Sequence, residues 1–494
     1  MSRSTGRGRL TRRLGSLLVL TLASCSAPAV HPADTAPRPE SVELGQAAGG
    51  RPVAGSDGAG DPYFPLDGNG GYDVHRYLIE DTYRPGSGRL TGRTTVVARA
   101  TRALSSFSLD LVLEVSSVQV DGEPAAFGRP SRHELRVRHA LGAGERFRVV
   151  VHYSGRPGSV RATGVSPFLD GYDEGYAMGE PQSGPWWFAA NETPEDRARF
   201  DVRVRVPRGF QAVSSGDLVD RSRTARWSTF RWRVDRPVAT YLAFFAGGRF
   251  ALSQEDVGGL TYRYAVSERL DGQQQQQATT LLRRTPGVVA WLVEQLGAYP
   301  FPVSGGVVAG RPLSYALETA ARPVYPFVGG PSPGTVSLLV HEQAHQWFGD
   351  SVGLRRWRDV WLHEGFASYA EWWYAESHGG RAVADRLAAE YAARPASAAF
   401  WTVRVSDPGV DDMWSAAIYV RGAMTLAALR ERVGDAPFAA LLRGWVARYD
   451  GETVTGKDFR AYAEDVTGQD LDDFFSAWLD ARVRPAPTAA NGLS

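Results

Sequence analysis

Val340-His341-Glu342-Gln343-Ala344-His345, followed after an eighteen-residue gap by Glu364, is the stretch on which the reading of this chain turns. On an α-helix each residue advances about 100°, so two histidines four positions apart project from one face and can grip a single metal ion. Glu342 falls on the flank of that pair. There it is poorly placed as a third ligand and well placed as the general base for water, the role this spacing assigns to it. Glu364 supplies the third ligand from Trp361-Leu362-His363-Glu364-Gly365-Phe366-Ala367-Ser368-Tyr369-Ala370-Glu371, whose apolar spacing suits a second helix packed on the first. Two His and one Glu leave one tetrahedral position open, the arrangement of a catalytic rather than a structural Zn2+ site, with one ion per chain.

The flanking residues extend the pattern. Val340 to Asp350, then Trp357 and Asp359-Val360-Trp361-Leu362-His363-Glu364-Gly365-Phe366-Ala367, closely resemble the M1-type zinc aminopeptidase family that includes aminopeptidase N and leukotriene A4 hydrolase. The resemblance implies an α+β multidomain chain: an N-terminal, saddle-like β-sandwich followed by a thermolysin-like, mainly helical catalytic domain. Phe474-Phe475-Ser476-Ala477-Trp478-Leu479 reads as the close of that domain, so the large C-terminal helical domain of many relatives is expected to be missing.

The same resemblance carries further residues. Tyr419, in Ile418-Tyr419-Val420-Arg421-Gly422-Ala423, stands where the family keeps its transition-state tyrosine. Glu318, in Tyr315-Ala316-Leu317-Glu318-Thr319, resembles the Glu of the family's Gly-Ala-Met-Glu-Asn strand, with only the Ala and the Glu retained. Glu180 precedes Trp186-Trp187-Phe188 by the interval at which relatives place a second amine-binding residue. A buried ammonium is costly unless paired, so two carboxylates here imply peptide substrates with a free N-terminus. Glu371, two helical turns beyond Glu364, either orients a ligand histidine or is an ordinary surface carboxylate. His363, where relatives have Asn, should point away from the metal.

At 494 residues the chain is long enough for two or three domains. A net charge of +1 from 55 basic and 54 acidic residues gives no global field, so no nucleic-acid partner is implied. Arg3 to Arg13 followed by the apolar run Leu14–Ala23 and Leu22-Ala23-Ser24-Cys25 looks like a bacterial lipoprotein signal. The run is too short to span a bilayer. Cys25 is the only cysteine, which rules out an intrachain disulfide and marks it as the expected lipid attachment point and only membrane contact. The alternative is a secreted protein with an incidental cysteine.

The expected organisation is a signal at 1–24, a disordered tether at 25–60, a β domain at 61–253, a catalytic domain at 254–484 and a disordered tail at 485–494. Alternating stretches such as Arg146 to Tyr153, Asp201 to Val206 and Thr229 to Val234 predict half-buried strands, as does Ala239 to Phe245. Gln273 to Gln277 is read as a solvated start to a helix through Leu296, and Leu313 to Ala320 as strand-like. The reaction implied is removal of N-terminal residues by an extracytoplasmic, lipid-anchored enzyme. Endopeptidase or broader hydrolase action on the same site is the alternative, and a non-catalytic surface binding protein is a third reading.

Overall fold

Alternation of buried and exposed residues builds the first half of the chain. In the computed structural model, which describes residues 51–161 and 166–493, an eight-stranded sheet is centred on Tyr72–Arg84, Arg89–Ala100 and Arg146–Gly155, paired antiparallel. Ala198–Pro207 joins its other side in parallel with Tyr72–Arg84, and Trp227–Val238 pairs antiparallel beyond it. One face turns Val149, Val151, Val202, Val204 and Val206 inward, the period-2 pattern of a sheet with a single core face. Two four-stranded sheets complete this β-rich half. One contains Leu104–Asp110 and Glu134–Arg138; the other contains Glu174–Ala177 and Phe245–Gly248.

The change of architecture comes slightly before the expected 253/254 boundary. Phe250–Val257 forms a hairpin with Leu260–Ser267, which runs parallel to Val303–Val308 and, through it, to Val324–Tyr325. This mixed sheet backs the helices, so the strand that was assigned partly to the β domain belongs with the helical half. The longer helices are α1 (Gly272–Leu282), α2 (Thr285–Leu296), α3 (Pro333–Ala344), α4 (Trp361–Ser377), α5 (Val383–Ala392), α6 (Gly422–Val433), α7 (Asp435–Arg448) and α8 (Gly456–Thr467). A β-rich half followed by a mainly helical one is the order the sequence implied.

Several local expectations are corrected. The glutamine run does start a helix, α1, whose N-terminus is fixed by an Asp271/Gln274 capping box, but that helix ends at Leu282 rather than running on to Leu296. Pro286 begins a separate α2, because proline is favoured in a first turn and disfavoured in a helix interior. Leu313 to Ala320 is not a strand: among the described residues only Leu317 pairs, by a single bridge to Val324. Ala239 to Phe245 contains a 3-10 turn at Thr240–Leu242, and its strand begins only at Phe245.

Both low-complexity ends were underestimated. Val53–Ala54 pairs parallel with Leu104–Asp110, the Gly55 amide donates to Ser106 O at 2.8 Å, and Asp57 accepts from Ser108 Oγ at 2.9 Å. Small residues there lie flat on an existing sheet edge, so weak apolar periodicity did not mean disorder. At the other end the Trp478 indole donates to Asn491 O at 3.0 Å, Arg432 donates to Ala490 O at 2.6 Å, and Leu493 is buried. The 485–493 segment is thus ordered against α6. The signal, Cys25 and the tether up to residue 50 lie outside the described residues.

Candidate active site

The last turn of α3 ends inside the metal-binding motif. Ser332 caps the helix through a reciprocal box with Thr335, and the last helical residue is Ala344, with His345 as C-cap. The chain then folds back on itself, the Asp350 amide donating to His345 O at 2.9 Å. Gln343 anchors the helix to the mixed sheet: its Oε1 accepts from Ser304 Oγ at 3.2 Å and its Nε2 donates to Gly305 O at 3.2 Å. Residues of that spacing therefore present His341 and His345 to one side, their rings 4.8 Å apart.

Helix α4 brings Glu364 against that face. Glu364 Oε2 lies 3.1 Å from His341 Nε2 and 3.6 Å from His345 Nε2. Four donors at about 2.0 Å from one ion stand about 3.3 Å apart, so the three atoms have the separation of a shared coordination shell. Each imidazole is held by its other nitrogen. His341 Nδ1 lies 2.8 Å from Glu371 Oε1, and His345 Nδ1 lies 3.1 Å from the Phe348 carbonyl. With the proton on Nδ1, both Nε2 lone pairs face the shared position, the tautomer a metal requires. These three residues form a group able to hold a metal ion.

Glu371 is therefore brought to the ligand His341 rather than left at the surface, and it also accepts from Ser337 Oγ. Ser337 was missed in the sequence although it sits one helical turn before His341, on the same face. His363 is buried behind His345, its ring 6.5 Å from the His345 ring, on the side of Gly349.

The metal-binding group opens into a cavity of about 730 Å³ lined also by Glu180, Glu318, Glu342, Tyr419 and Trp414. All the catalytic and binding residues singled out in the sequence from Glu180 to Tyr419 thus meet around one space. Glu342 is buried, and that burial pushes its carboxyl up to about 8. Tyr419 stacks on His341 with ring centroids 6.2 Å apart, presented by a π-turn, Ala417–Arg421, that leads into α6. Glu318 is 3 % exposed, its Oε1 has no hydrogen-bond partner, and Glu180 Oε1 likewise has none. Burial, reinforced for Glu180 by the neighbouring Glu318, raises both carboxyls above the ordinary range.

The irregular Glu318 segment is located by a side chain the sequence reading passed over. Gln346, next to His345, donates from Nε2 to Glu318 O at 3.1 Å and accepts from the Ala321 amide at 2.7 Å. Ala321 itself has φ +65°, a turn that brings the chain back for the Leu317–Val324 bridge. One glutamine amide thus does for this segment what a ladder does for a strand.

The relationships of the whole chain agree with this geometry. Residues 333–478 match the peptidase family M1 domain. Aminopeptidase N of Streptomyces lividans is 22% identical over 64% of this chain and 39% of its own length; mouse aminopeptidase B is 24% identical over 76% of this chain and 62% of its own. The chain thus spans less than two thirds of these curated relatives. Among solved structures, a two-domain M1 zinc metallopeptidase mutant bound to L-tryptophan superposes with a TM-score of 0.78 at 28% identity, covering 87% of this chain and 99% of that one. An M1 zinc metallopeptidase mutant from Deinococcus radiodurans, bound to a Tyr-Ser-Ala substrate, superposes with a TM-score of 0.75 at 28% identity, covering 87% and 100%. Metal-binding helices and kinship converge on the same segment: residues 333–478 match a peptidase family M1 domain, and the described fold is similar to that of two-domain M1 zinc metallopeptidases.

Proposed function

We propose that this protein is a zinc aminopeptidase that removes single residues from the free N-terminus of peptides. The observation that carries the reading is the pair of carboxylates, buried Glu318 and half-buried Glu180, each with one buried oxygen that has no hydrogen-bond partner, which line the same cavity as His341, His345 and Glu364. Isolated charges are not left buried without a counter-charge, and a substrate ammonium is the group that meets that demand.

His341, His345 and Glu364 hold the ion. Zinc in that position supplies Lewis-acid chemistry to water and to the scissile carbonyl. Glu342 takes the proton from the attacking water and delivers it to the leaving amine. Tyr419 donates a hydrogen bond to the oxyanion that develops on the carbonyl. Glu371 and the Phe348 carbonyl keep the two imidazoles in register. Glu318 and Glu180 anchor the α-amine, so that the first peptide bond, and no later one, reaches the reacting groups.

A broader hydrolase with endopeptidase action is the second reading, favoured by the Glu318 segment's not being a strand and by Tyr315, 41 % exposed at the cavity rim. Matched peptides with free and acetylated N-termini separate the two. The aminopeptidase reading expects cleavage of the free-amine peptide alone; equal rates on both would discard it. Glu342→Gln, expected to abolish turnover while the metal content stays whole, tests the catalytic reading against a binding protein that merely keeps the fold.

The same proposal places the enzyme outside the cytoplasm, tethered through a lipid on Cys25, on the strength of the basic leader and the short apolar run before it. Cys25→Ala is expected to abolish labelling by a radioactive fatty acid and to release the protein from membranes. Undiminished labelling would remove the lipoprotein assignment.

A further inference from the structure

A second cluster of ionisable side chains lies in the β-rich half. Leu104–Asp110 and Glu134–Arg138 pair antiparallel with Asp110 directly opposite Glu134. His133 precedes Glu134, and Asp67 comes in from the N-terminal segment. Donor atoms of Asp110, His133 and Glu134 all lie within 4.8 Å of one another. His133 Nε2 is 3.2 Å from Asp110 Oδ1 and 3.7 Å from Asp67 Oδ1.

Acidic clusters are common and carry no meaning alone. Here the outer atoms are tied down and the inner ones are not. Asp110 Oδ2 accepts from the amides of Glu192 at 2.7 Å and Gly68 at 3.2 Å, and Asp67 Oδ2 accepts from Gln182 Nε2 at 2.5 Å. Asp110 Oδ1, His133 Nε2 and both oxygens of Glu134 have no hydrogen-bond partner of acceptable geometry, although Asp110 is 0 % and Glu134 2 % exposed. Two guanidinium groups of this region are spent elsewhere. Arg136 pairs with Asp57, and Arg129 donates to the carbonyls of Leu111, Leu113 and Arg132. Ionised together, three buried carboxylates outnumber one imidazolium, and that excess charge is relieved either by protons, which burial favours on Glu134, or by a bound cation.

We propose that Asp110, His133 and Glu134, closed by Asp67, form a second divalent metal site, suited to zinc, in the β-rich half of the chain. An imidazole among the donors selects against calcium and magnesium, which take oxygen ligands, and in favour of zinc. The spacings of 3.2 and 3.7 Å bracket the separation of about 3.3 Å expected between donors on a tetrahedral ion of that size. The site's role is structural. It joins the N-terminal segment through Asp67, the two inner strands of a four-stranded sheet through Asp110 and Glu134, and the loop after Glu180 through the Gln182 contact with Asp67.

The test measures zinc per chain in the intact protein after saturation with ZnCl2 and gel filtration. Wild type is expected to carry two equivalents, and both His341→Ala/His345→Ala and Asp110→Asn/Glu134→Gln one each, the second variant keeping wild-type cleavage of free-amine peptides. A single equivalent in wild type, lost in the His341/His345 variant, overturns the second site and leaves the catalytic reading standing. A single equivalent lost only in the Asp110/Glu134 variant does the reverse. In case the Asp110/Glu134 variant does not fold, the melting temperature of the His341/His345 variant is followed as EDTA and then ZnCl2 are added. A fall and recovery is expected, because an ion bound only by the native state stabilises it. A melting temperature indifferent to both reagents overturns the proposal, the carboxylates then sharing protons with the imidazolium.

Discussion

Gly365 and Gly422 meet backbone to backbone: a Cβ on Gly422 would stand 2.7 Å from the Gly365 Cα, and one on Gly365 would stand 2.9 Å from the Gly422 Cα. Gly365 follows Glu364 and Gly422 opens α6 three residues after Tyr419, so this contact sets how closely the acidic ligand and the tyrosine approach across the cavity. Gly422→Ala forces two backbones apart that have no side chain to yield. The expected outcome is a loss of about 1–3 kcal/mol, read from the denaturant midpoint. Turnover should fall beyond what stability explains, since Tyr419 rides on the displaced helix; unchanged stability would show that the contact tolerates a methyl group.

Glu371 holds the ring of His341 through Nδ1 at 2.8 Å and is itself held by Ser337. Glu371→Gln keeps the shape and removes the charge that favours a proton on Nδ1. Partners of this kind contribute roughly 10–100-fold to metal affinity, so the variant should lose zinc to a chelator that much more readily. Competition with a fluorescent chelator measures it, and Ser337→Ala should show a weaker effect in the same direction.

Tyr419→Phe removes one hydroxyl and little else, because the ring still stacks on His341. With its hydrogen bond formed chiefly to the developing oxyanion, kcat should fall by about 100-fold or more while KM stays near the wild-type value. A rise in KM at constant kcat would instead assign Tyr419 to ground-state binding.

What the sequence disclosed and what it withheld divide along a physical line. Where a period of 2 or 3.6 ran through apolar residues, as in Arg146–Gly155 or in α4, element and buried face were both legible. So was the meeting of His341, His345 and Glu364, since helical spacing alone puts the first two on one face. Contacts made by backbone atoms were not legible. The Phe348 carbonyl on His345 and the Gln346 amide on the Glu318 segment depend on how the chain turns after Ala344, which no side-chain pattern records. Small residues misled in the same way. Residues 51–60 lack apolar periodicity because they are an edge that needs backbone hydrogen bonds and little else.

Arg421, which the sequence offers only as a neighbour of Tyr419, has a fully buried guanidinium that donates to the carbonyls of Trp401, Val403, Ala477, Ala481 and Val483. It fastens the C-terminal segment under α6. Arg421→Met would leave those carbonyls buried without donors, at an expected cost of about 3 kcal/mol or more. Limited proteolysis should then cut near residue 484 before anywhere else in the helical half; a wild-type digestion pattern would deny the fastening role.

Asp480 gives the pH dependence a defined sign. Burial raises its carboxyl, but the paired hydrogen bonds from Arg460 at 2.7 and 2.8 Å and one from Ser406 at 2.6 Å outweigh burial and hold it below the ordinary range. A carboxyl depressed in the folded state contributes stability above its unfolded value, near 3.9, and that contribution disappears as pH falls through the folded value. Asp480→Asn should therefore melt below wild type at pH 7, with the gap constant down to about pH 5 and closing below about pH 4. Half-exposed pairs of this kind are screened by salt, so the gap at pH 7 should also narrow in 1 M NaCl. Parallel melting curves at every pH would mean that the Arg460 pair contributes packing and no net charge interaction.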